Sequence, residues 1–397
     1  MKKLQIIIAV LLSLAWFLSS CASKKKTAGS ETTPQTSTET AVEPQPDPRA
    51  SYPYVYVQDK RFFFQGKEYT LKGVNYYPVR NNWRRMWEVW DTAPMEKELS
   101  LLAGLGVNTV RVFLDYNVFE KHRKNGQDSI MLSRLDELLA IIGKNNMRAL
   151  ITPFVWGRGE LKTDKLHIEH IASRYKDDAR IFGWDISNEL DHCWISDTSK
   201  RAAIQDWAAG VYESLRSVDT NHLITIGDYG WYLGDRDDPY GAGISLDLSL
   251  MSLAQEKQDF ICFHWYGHYY ALETALQKLT AAVSKPVVVE EIGLPTGGAD
   301  DAGNAWFLNE EQVAGYYKAW METAEKYKAY LMPWCGFDYE AGYAPFSTNS
   351  NQLFFGLFAA DYRIKANGSV YKDDSKAGVQ SKTAALPVVK ECKRRDK

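Results

Sequence analysis

From about residue 52 onward, two hydrophobic periods alternate along the chain. Short runs rich in β-branched and aromatic residues recur, and between them apolar positions repeat at helical spacing. Residues 54–57 and 61–64, followed by Gln65-Gly66-Lys67, predict a hairpin. Strands are then predicted at 70–77, 107–114, 147–154, 181–186, 222–226, 260–264, 286–290 and 329–334. Met95, Leu99, Leu102 and Ala103 share one helix face, as do Leu132, Leu135, Leu138, Leu139 and Ile142. Further helices are predicted over 165–177, 198–217, 245–257 and 271–283. Val313, Tyr317, Trp320, Met321 and Ala324 mark another, and 377–390 supplies the last.

Eight strands alternating with helices imply a parallel sheet, because parallel neighbours need a crossover connection. Eight such units over residues 51–397 fit a single-domain α/β fold, a (β/α)8 TIM barrel. A doubly wound open sheet is the rival. No G-x-G-x-x-G turn follows the first strand, which counts against it.

The first fifty residues follow neither period. Lys2 and Lys3 precede an apolar stretch, Leu4 to Leu18, interrupted by Gln5 and Ser13. Leu18-Ser19-Ser20-Cys21 closes it and resembles the bacterial lipobox. The expectation is a lipoprotein signal peptide over 1–20, removed to leave Cys21 for lipidation. The run is short for a spanning helix, which needs about 20 apolar residues. Residues 21–50 are rich in Ser, Thr, Pro and Glu and cannot bury enough apolar surface to order themselves. They read as a flexible tether. The expected location is the bacterial cell envelope, at the outer membrane or cell surface, with the membrane met through the N-terminal lipid.

Composition narrows the partners. The 397 residues carry a formal net charge of −3, with 45% hydrophobic and 24% charged residues. That balance describes a globular domain with a sizeable core, and it offers no basic stripe for nucleic acid. Cys193, Cys262, Cys335 and Cys392 have neither C-x-x-C nor metal spacing, so packed free thiols are expected, with a disulfide left open. His167 and His170, three apart on a predicted surface helix, lack a companion ligand set. No metal and no cofactor are expected. The chain has 13 Trp and 23 Tyr. Such an aromatic excess serves either a large core or the flat faces of sugar rings, and position decides between them.

Two carboxylate motifs sit at strand ends. Asp185-Ile186-Ser187-Asn188-Glu189 closes the fourth strand after the hairpin, and Glu290-Glu291-Ile292-Gly293 closes the seventh. Gly73-Val74-Asn75-Tyr76 ends the first, and Val107-Asn108-Thr109-Val110-Arg111 runs along the second. His264-Trp265-Tyr266 ends the sixth and Trp334 the eighth. In this order the motifs resemble glycoside hydrolase family 5 and its barrel clan, on the β-mannanase and cellulase-like side, over roughly residues 60–365. Two features depart from the common pattern. Leu190 follows the Asn-Glu where Pro is frequent, and the third strand ends Thr152-Pro153-Phe154-Val155-Trp156 rather than in His.

The resemblance implies a retaining β-glycoside hydrolase acting through a covalent glycosyl-enzyme intermediate on β-linked mannan, glucan or their oligosaccharides. It implies Glu189 as acid/base and Glu291 as nucleophile. Arg111, Asn188, His264, Tyr266, Trp156 and Trp334 would bind substrate, with Trp334 beneath the reacting sugar. Trp194, Trp231, Trp265, Trp306 and Phe337 are further candidates for the sugar floor. Trp83, Trp87 and Trp90 are spaced as a helix face or a binding wall. Retaining chemistry needs the two carboxyl groups about 5–5.5 Å apart. The neighbouring carboxylate is expected to raise the pKa of Glu189, and Arg111 to lower that of Glu291. Adjacent strand residues face opposite sides, so Glu291 rather than Glu290 should reach the site. Alternatives on the same barrel are a cell-surface glycan-binding protein and a transglycosylase. A monomer is expected.

Overall fold

The computed structural model describes residues 49–372 apart from positions 156, 157, 239, 301 and 306. A small antiparallel sheet comes first: β1 (Tyr56–Gln58), β2 (Arg61–Phe64) and β3 (Lys67–Glu68). Eight parallel strands follow, each hydrogen-bonded to the next in chain order. They are β4 (Gly73–Asn75), β5 (Thr109–Asp115), β6 (Arg148–Val155) and β7 (Ile181–Asn188), then β8 (Leu223–Asp228), β9 (Ile261–Trp265), β10 (Val287–Ile292) and β11 (Tyr330–Pro333). Flanking helices run over Thr92–Gly104, Asp128–Lys144, Leu161–Tyr175, Arg201–Val218, Tyr269–Ala282, Glu310–Tyr327 and Ala366–Lys372. This is the (β/α)8 barrel that the periodicity predicts.

Side chains close the two edges of the sheet. The Asn75 amide on β4 donates to Pro333 O on β11 at 3.1 Å and to Glu290 O on β10 at 2.7 Å. Gly73 permits this approach. A Cβ there would lie 2.5 Å from Met332 Cγ, inside van der Waals contact.

The core forms two layers. Val110, Val112, Ile151, Trp184, Ile186, Ile224, Phe263 and Val289 pack with the helices on the outside of the sheet. Leu150, Phe182, Phe260, Cys262, Val288, Tyr330 and Met332 form a second cluster with Val55, Phe62 and Leu71. Phe62 on β2 is fully buried, with its ring 5.1 Å from Phe182, 5.4 Å from Phe260 and 5.1 Å from Tyr330. These three partners lie where their strands begin, so the hairpin plugs the N-terminal end of the barrel. The strands' C-terminal ends are left for chemistry, as in other barrels of this kind.

Four local expectations are corrected. Residues 245–257 form no α-helix; a 3-10 turn, Leu248–Leu250, stands there. Side chains satisfy its backbone instead. Asp247 accepts from Ser249 N, Asp228 accepts from Ser252 N, and Lys285 donates to the carbonyls of Gln255 and Gln258. A helix over Tyr116–Lys124 was not anticipated from its polar composition; Asp115 caps it through Val118 N. His167 is buried rather than solvated and pairs with Glu120 at 3.2 Å. The first barrel strand is shorter than 70–77. Cys193, Cys262 and Cys335 are free thiols, as expected. Cys21, Cys392 and the helix predicted over 377–390 lie outside the described residues, as do the predicted signal peptide and most of the predicted tether. Among the described residues no helix is long and apolar enough to cross a membrane.

The hairpin plug is testable. Phe62→Ala should cost about 3–5 kcal/mol, as large aromatic truncations in packed cores do. Chemical denaturation measures it. A loss within about 0.5 kcal/mol, the range of surface substitutions, would mean that Phe62 does not plug the barrel.

Candidate active site

The mouth of the barrel is built on a buried polar layer. Arg111 on β5 is wholly buried, and five side chains accept its N–H groups. Asp185 Oδ2 accepts at 2.6 and 3.0 Å, Glu291 Oε1 at 2.6 Å and Asn188 Oδ1 at 2.9 Å. Thr152 Oγ1 accepts at 3.1 Å and Asn75 Oδ1 at 3.2 Å. Asp185 Oδ1 turns the other way and accepts Gly227 N at 2.6 Å. Gly227 is needed for space, since a Cβ would sit 2.6 Å from Glu290 Oε2 and 3.0 Å from an Arg111 nitrogen.

Above this layer stand Glu189 and Glu291. Glu189 follows β7 in the left-handed region, at φ 47°, with its amide donating to Gly227 O at 2.5 Å. A non-glycine residue is held there only when its surroundings over-determine it; here the turn swings the carboxylate back over the mouth. Tyr266 Oη donates to Glu291 Oε2 at 2.8 Å. His264 lies between the two glutamates. Its Nδ1 is 2.8 Å from Glu189 Oε1 and 3.4 Å from Glu291 Oε2, and its Nε2 is 3.5 Å from Glu290 Oε2. One oxygen of Glu189, one of Glu291 and a His264 ring nitrogen all lie within 4.8 Å of one another. Such spacing could hold a divalent cation, but Arg111 already supplies a positive charge to these oxygens.

Strict alternation along β10 predicted that only Glu291 would turn inward. The ladder is irregular there: Val289 pairs with Phe263, and the next pair is Glu291 with His264. A bulge of this kind leaves one residue out of step. Both glutamates therefore turn into the barrel. Glu291 reaches the mouth, and Glu290 sits below it, fully buried and 3.5 Å from Arg111.

Four carboxylates, Asp185, Glu189, Glu290 and Glu291, thus face two cationic side chains. Burial pushes the His264 imidazole down, but the charge of Glu291 and its contacts with Glu189 and Glu290 outweigh burial and lift it to about 10. Burial pushes Glu189 up, yet the hydrogen bond and charge of His264 leave it below the usual glutamate range. Glu291 stays above that range because burial outweighs His264 and Arg111. Both directions reverse the expectation from the two glutamates and Arg111 alone, for different reasons: the His264 imidazolium holds Glu189 down, whereas burial lifts Glu291 against both cations. Asp185 is raised to about 6 by burial and by Glu290, against Arg111.

The expected substrate residues divide. Arg111 and His264 are sealed beneath the glutamates, with their polar atoms on carboxylates. Asn188 gives its carbonyl to Arg111, which leaves its amide nitrogen to donate elsewhere. Trp334 is largely buried too, only 8% exposed, in a cluster with Tyr77, Trp83 and Phe113, its ring 6.3, 5.9 and 5.9 Å from theirs. Trp87 is core, with stacked Trp90 half-buried at its side. Trp194, Trp265 and Phe337 are buried rather than part of a sugar floor. Trp156 and Trp306 lie outside the described residues. Asp185, Glu290, Asp191 and His192 were not singled out as site residues. Strand alternation weighs Glu290 against Glu291 and sets it aside, and Asp185 shows no signal beyond being a carboxylate on a strand; Asp191 and His192 stand at the start of a short helix, His192–Ile195, that no periodicity marks.

Comparison with known proteins adds the following. The family model described as "Cellulase (glycosyl hydrolase family 5)" matches residues 65–341. The chain is 27% identical over 284 residues to a probable mannan endo-1,4-β-mannosidase F of Emericella nidulans, covering 58% of this chain and 64% of that protein. It is 28% identical over 298 residues to mannan endo-1,4-β-mannosidase A of Hypocrea jecorina, covering 63% and 65%. The chain spans between about a third and two thirds of the length of the curated relatives it matches. Its fold is similar to that of an exo-β-1,4-mannosidase from Opitutaceae bacterium strain TAV5. The TM-score is 0.65 at 22% identity, over 80% of this chain and 61% of that one.

The charge on His264 gives a pH signature. Its pKa of about 10 in the folded protein exceeds the value near 6.5 expected of an unfolded histidine. The associated stabilisation is complete below pH ~6.5 and is lost as pH rises toward the folded value. The Tm difference between wild type and His264→Gln should therefore shrink across this window. A difference constant from pH ~6 to ~10 would refute the buried imidazolium.

Proposed function

This chain belongs to glycosyl hydrolase family 5, and from that premise we propose that it is a retaining β-glycoside hydrolase acting on β-1,4-linked mannan-type chains or their oligosaccharides. One observation carries the reading: Glu189 and Glu291 hold carboxylate oxygens within 4.8 Å of each other at the mouth of the barrel. Inverting enzymes separate these groups by about 6.5–9.5 Å to admit a water between carboxylate and sugar, whereas retaining ones keep them near 5 Å. The mannan-type substrate is supported by the names of the curated relatives, several of which are mannan endo-1,4-β-mannosidases.

In the first step Glu291 attacks the anomeric carbon as the bond to the leaving oxygen breaks. Glu189 gives that oxygen its proton. Arg111 and Tyr266 each donate to one oxygen of Glu291, so the nucleophile is oriented and its charge held before substrate arrives. Bound sugar shields Glu189 from water, and desolvation pushes its pKa up toward the protonated form that the step requires. In the second step Glu189 takes a proton from water, which displaces Glu291 and restores the original configuration. The free amide of Asn188 is suited to a sugar hydroxyl, and Trp334 to the apolar face of the ring. A binding protein on this barrel would have no use for a second buried carboxylate held by a guanidinium and a phenol.

Two variants separate the roles. Glu189→Ala should lower kcat/KM on mannooligosaccharides by roughly 10²–10⁴-fold, the usual contribution of general acid catalysis. It should retain formation of the intermediate from aryl glycosides with good leaving groups. Glu291→Ala should be inactive until azide is added, and should then release the α-glycosyl azide. Proton NMR of products reads both; first formation of the inverted anomer by wild type would refute the retaining mechanism.

The N-terminal segment supports a lipid anchor at Cys21, which would place the barrel at the bacterial envelope on the tether of residues 21–50. A single acyl chain binds membranes only marginally, and stable retention needs more than one. Cys21→Ala should lose lipid labelling and stable attachment through Cys21, and the barrel expressed from about residue 50 should be soluble and active. A native mature protein without lipid on Cys21 would refute the anchor.

A further inference from the structure

Beside the glutamate pair stands a second group of side chains that the two-carboxylate chemistry does not use. His192 lies three residues after Glu189, on the short helix His192–Ile195. Its Nδ1 is 3.6 Å from Glu189 Oε2, is itself buried, and has no hydrogen-bond partner. Glu189 Oε1 accepts from His264 at 2.8 Å, so Oε2 is the oxygen left for substrate. The oxygen that would carry the acid proton and an unpartnered ring nitrogen therefore stand side by side.

That space has a built wall. Asp191, fully buried, accepts the backbone N–H groups of Tyr229 at 2.7 Å, Gly230 at 2.9 Å and Trp231 at 3.1 Å. Gly230, at φ 98°, has the left-handed backbone this clamp requires. The clamped turn sets the Tyr229 ring 4.4 Å from His192, and the Trp231 ring 5.8 Å from it. Arg236 backs the wall. Its guanidinium lies 3.7 Å over Tyr229 and donates to the carbonyls of Tyr229 and His264 at 2.5 and 2.8 Å. His192 is thereby held in place by packing while its Nδ1 stays unengaged.

We propose that His192 binds the leaving-group oxygen beside Glu189, with half-buried Trp231 as the apolar wall for the sugar that departs. The inference rests on the roles proposed above for Glu189 and Glu291. Geometry allows it: an oxygen can lie within hydrogen-bond distance of two atoms 3.6 Å apart. As the anomeric carbon–oxygen bond breaks, its electron pair stays on the leaving oxygen, which takes the proton from Glu189. Glu291 supplies the pair for the new carbon–oxygen bond. His192 transfers no proton; its Nδ1 hydrogen-bonds to the oxygen and orients it. In the second step the same contact receives the incoming water. The chemistry recognised is a sugar hydroxyl, so the contribution belongs to sugar leaving groups and not to aryl ones.

The test compares two substrates with identical glycone and different leaving group. These are β-1,4-mannotetraose and 2,4-dinitrophenyl β-mannobioside, whose aryl group needs neither proton nor hydrogen bond to depart. kcat/KM is measured for wild type, His192→Ala and His192→Asn. His192→Ala should lose about 10-fold or more on mannotetraose, the size of one lost hydrogen bond in a dry site, and stay within about 2-fold on the aryl substrate. His192→Asn, which returns a nitrogen near the Nδ1 position, should recover most of the loss. Equal loss on both substrates would mean that His192 only supports the fold, and no loss on either would mean that it meets no substrate; both overturn the inference alone. A wild-type protein that cleaves neither substrate would overturn the proposed function and this inference with it.

Discussion

One guanidinium organises the top of this barrel. Arg111 is shut away from water, where a lone charge would cost several kcal/mol. Its N–H groups are spread over Asn75, Thr152, Asp185, Asn188 and Glu291, on β4, β6, β7 and β10. The sheet cannot slip register along any of these strands without leaving a buried donor or acceptor unpaired. The same contacts aim Glu291 and hold Asn188. Asp185, whose own pKa is raised by burial, earns its place as the counter-charge that permits the Arg, and its second oxygen fixes Gly227 on β8. Structural and chemical demands thus fall on one side chain. Removing it would strand three carboxylates in a dry interior, so its loss cannot be read as a catalytic defect alone.

The second constraint is charge balance. Asp185, Glu189, Glu290 and Glu291 bring four potential negative charges into a space that holds one permanent cation. His264 is drawn to the protonated state by this surplus, and it in turn holds Glu189 down while the site is empty. The protonation of each group is a property of the cluster rather than of the residue. That is how two neighbouring glutamates, one sealed and one partly open to solvent, can be assigned opposite work. Glu291 is tied to a guanidinium and a phenol that cannot leave. Glu189 is tied to an imidazole and remains partly open to solvent, which on the proposed function a bound sugar would replace. The environment of Glu189 changes on binding, and that of Glu291 hardly does.

Much of this was legible in the chain. Short continuous apolar runs between stretches of helical period located all eight barrel strands, because each is buried on both faces and bounded by polar turns. The positions of Glu189, Glu291 and Tyr266 at the strand ends followed from the order of the motifs. Local irregularity was not legible. Alternation placed Glu290 away from the site, and a bulge put it inside, since no residue type marks where a ladder skips. Residues 245–257 have helical spacing, yet Asp228 and Lys285, distant along the chain, take their backbone bonds. The tryptophans failed for a related reason. Trp194 and Trp265 belong to loop and strand-end segments like those of true binding residues, and only packing reveals that they are buried.

The two sides of the glutamate pair are built by different physics, which bears on how such a site changes. Trp334 sits in an aromatic cluster with Tyr77, Trp83 and Phe113, and Tyr77 stacks on Trp83 at 4.9 Å and on Phe113 at 5.0 Å. Each ring there supports the next, so a change of one ring disturbs the others and the sugar platform with them. The wall beside Glu189 is set instead by Asp191, whose carboxylate bonds only backbone N–H groups. Backbone clamps are indifferent to the side chains they position. Residues 192 and 231, both half-buried, can therefore vary while the turn keeps its shape, whereas Tyr229 is packed beneath Arg236. A barrel of this design can hold the reacting sugar with a rigid aromatic platform and alter what departs, or what accepts, through a few loop side chains. On the proposed function, the reacting sugar would then meet rings that fix one another, and the departing one would meet side chains carried on a backbone clamp.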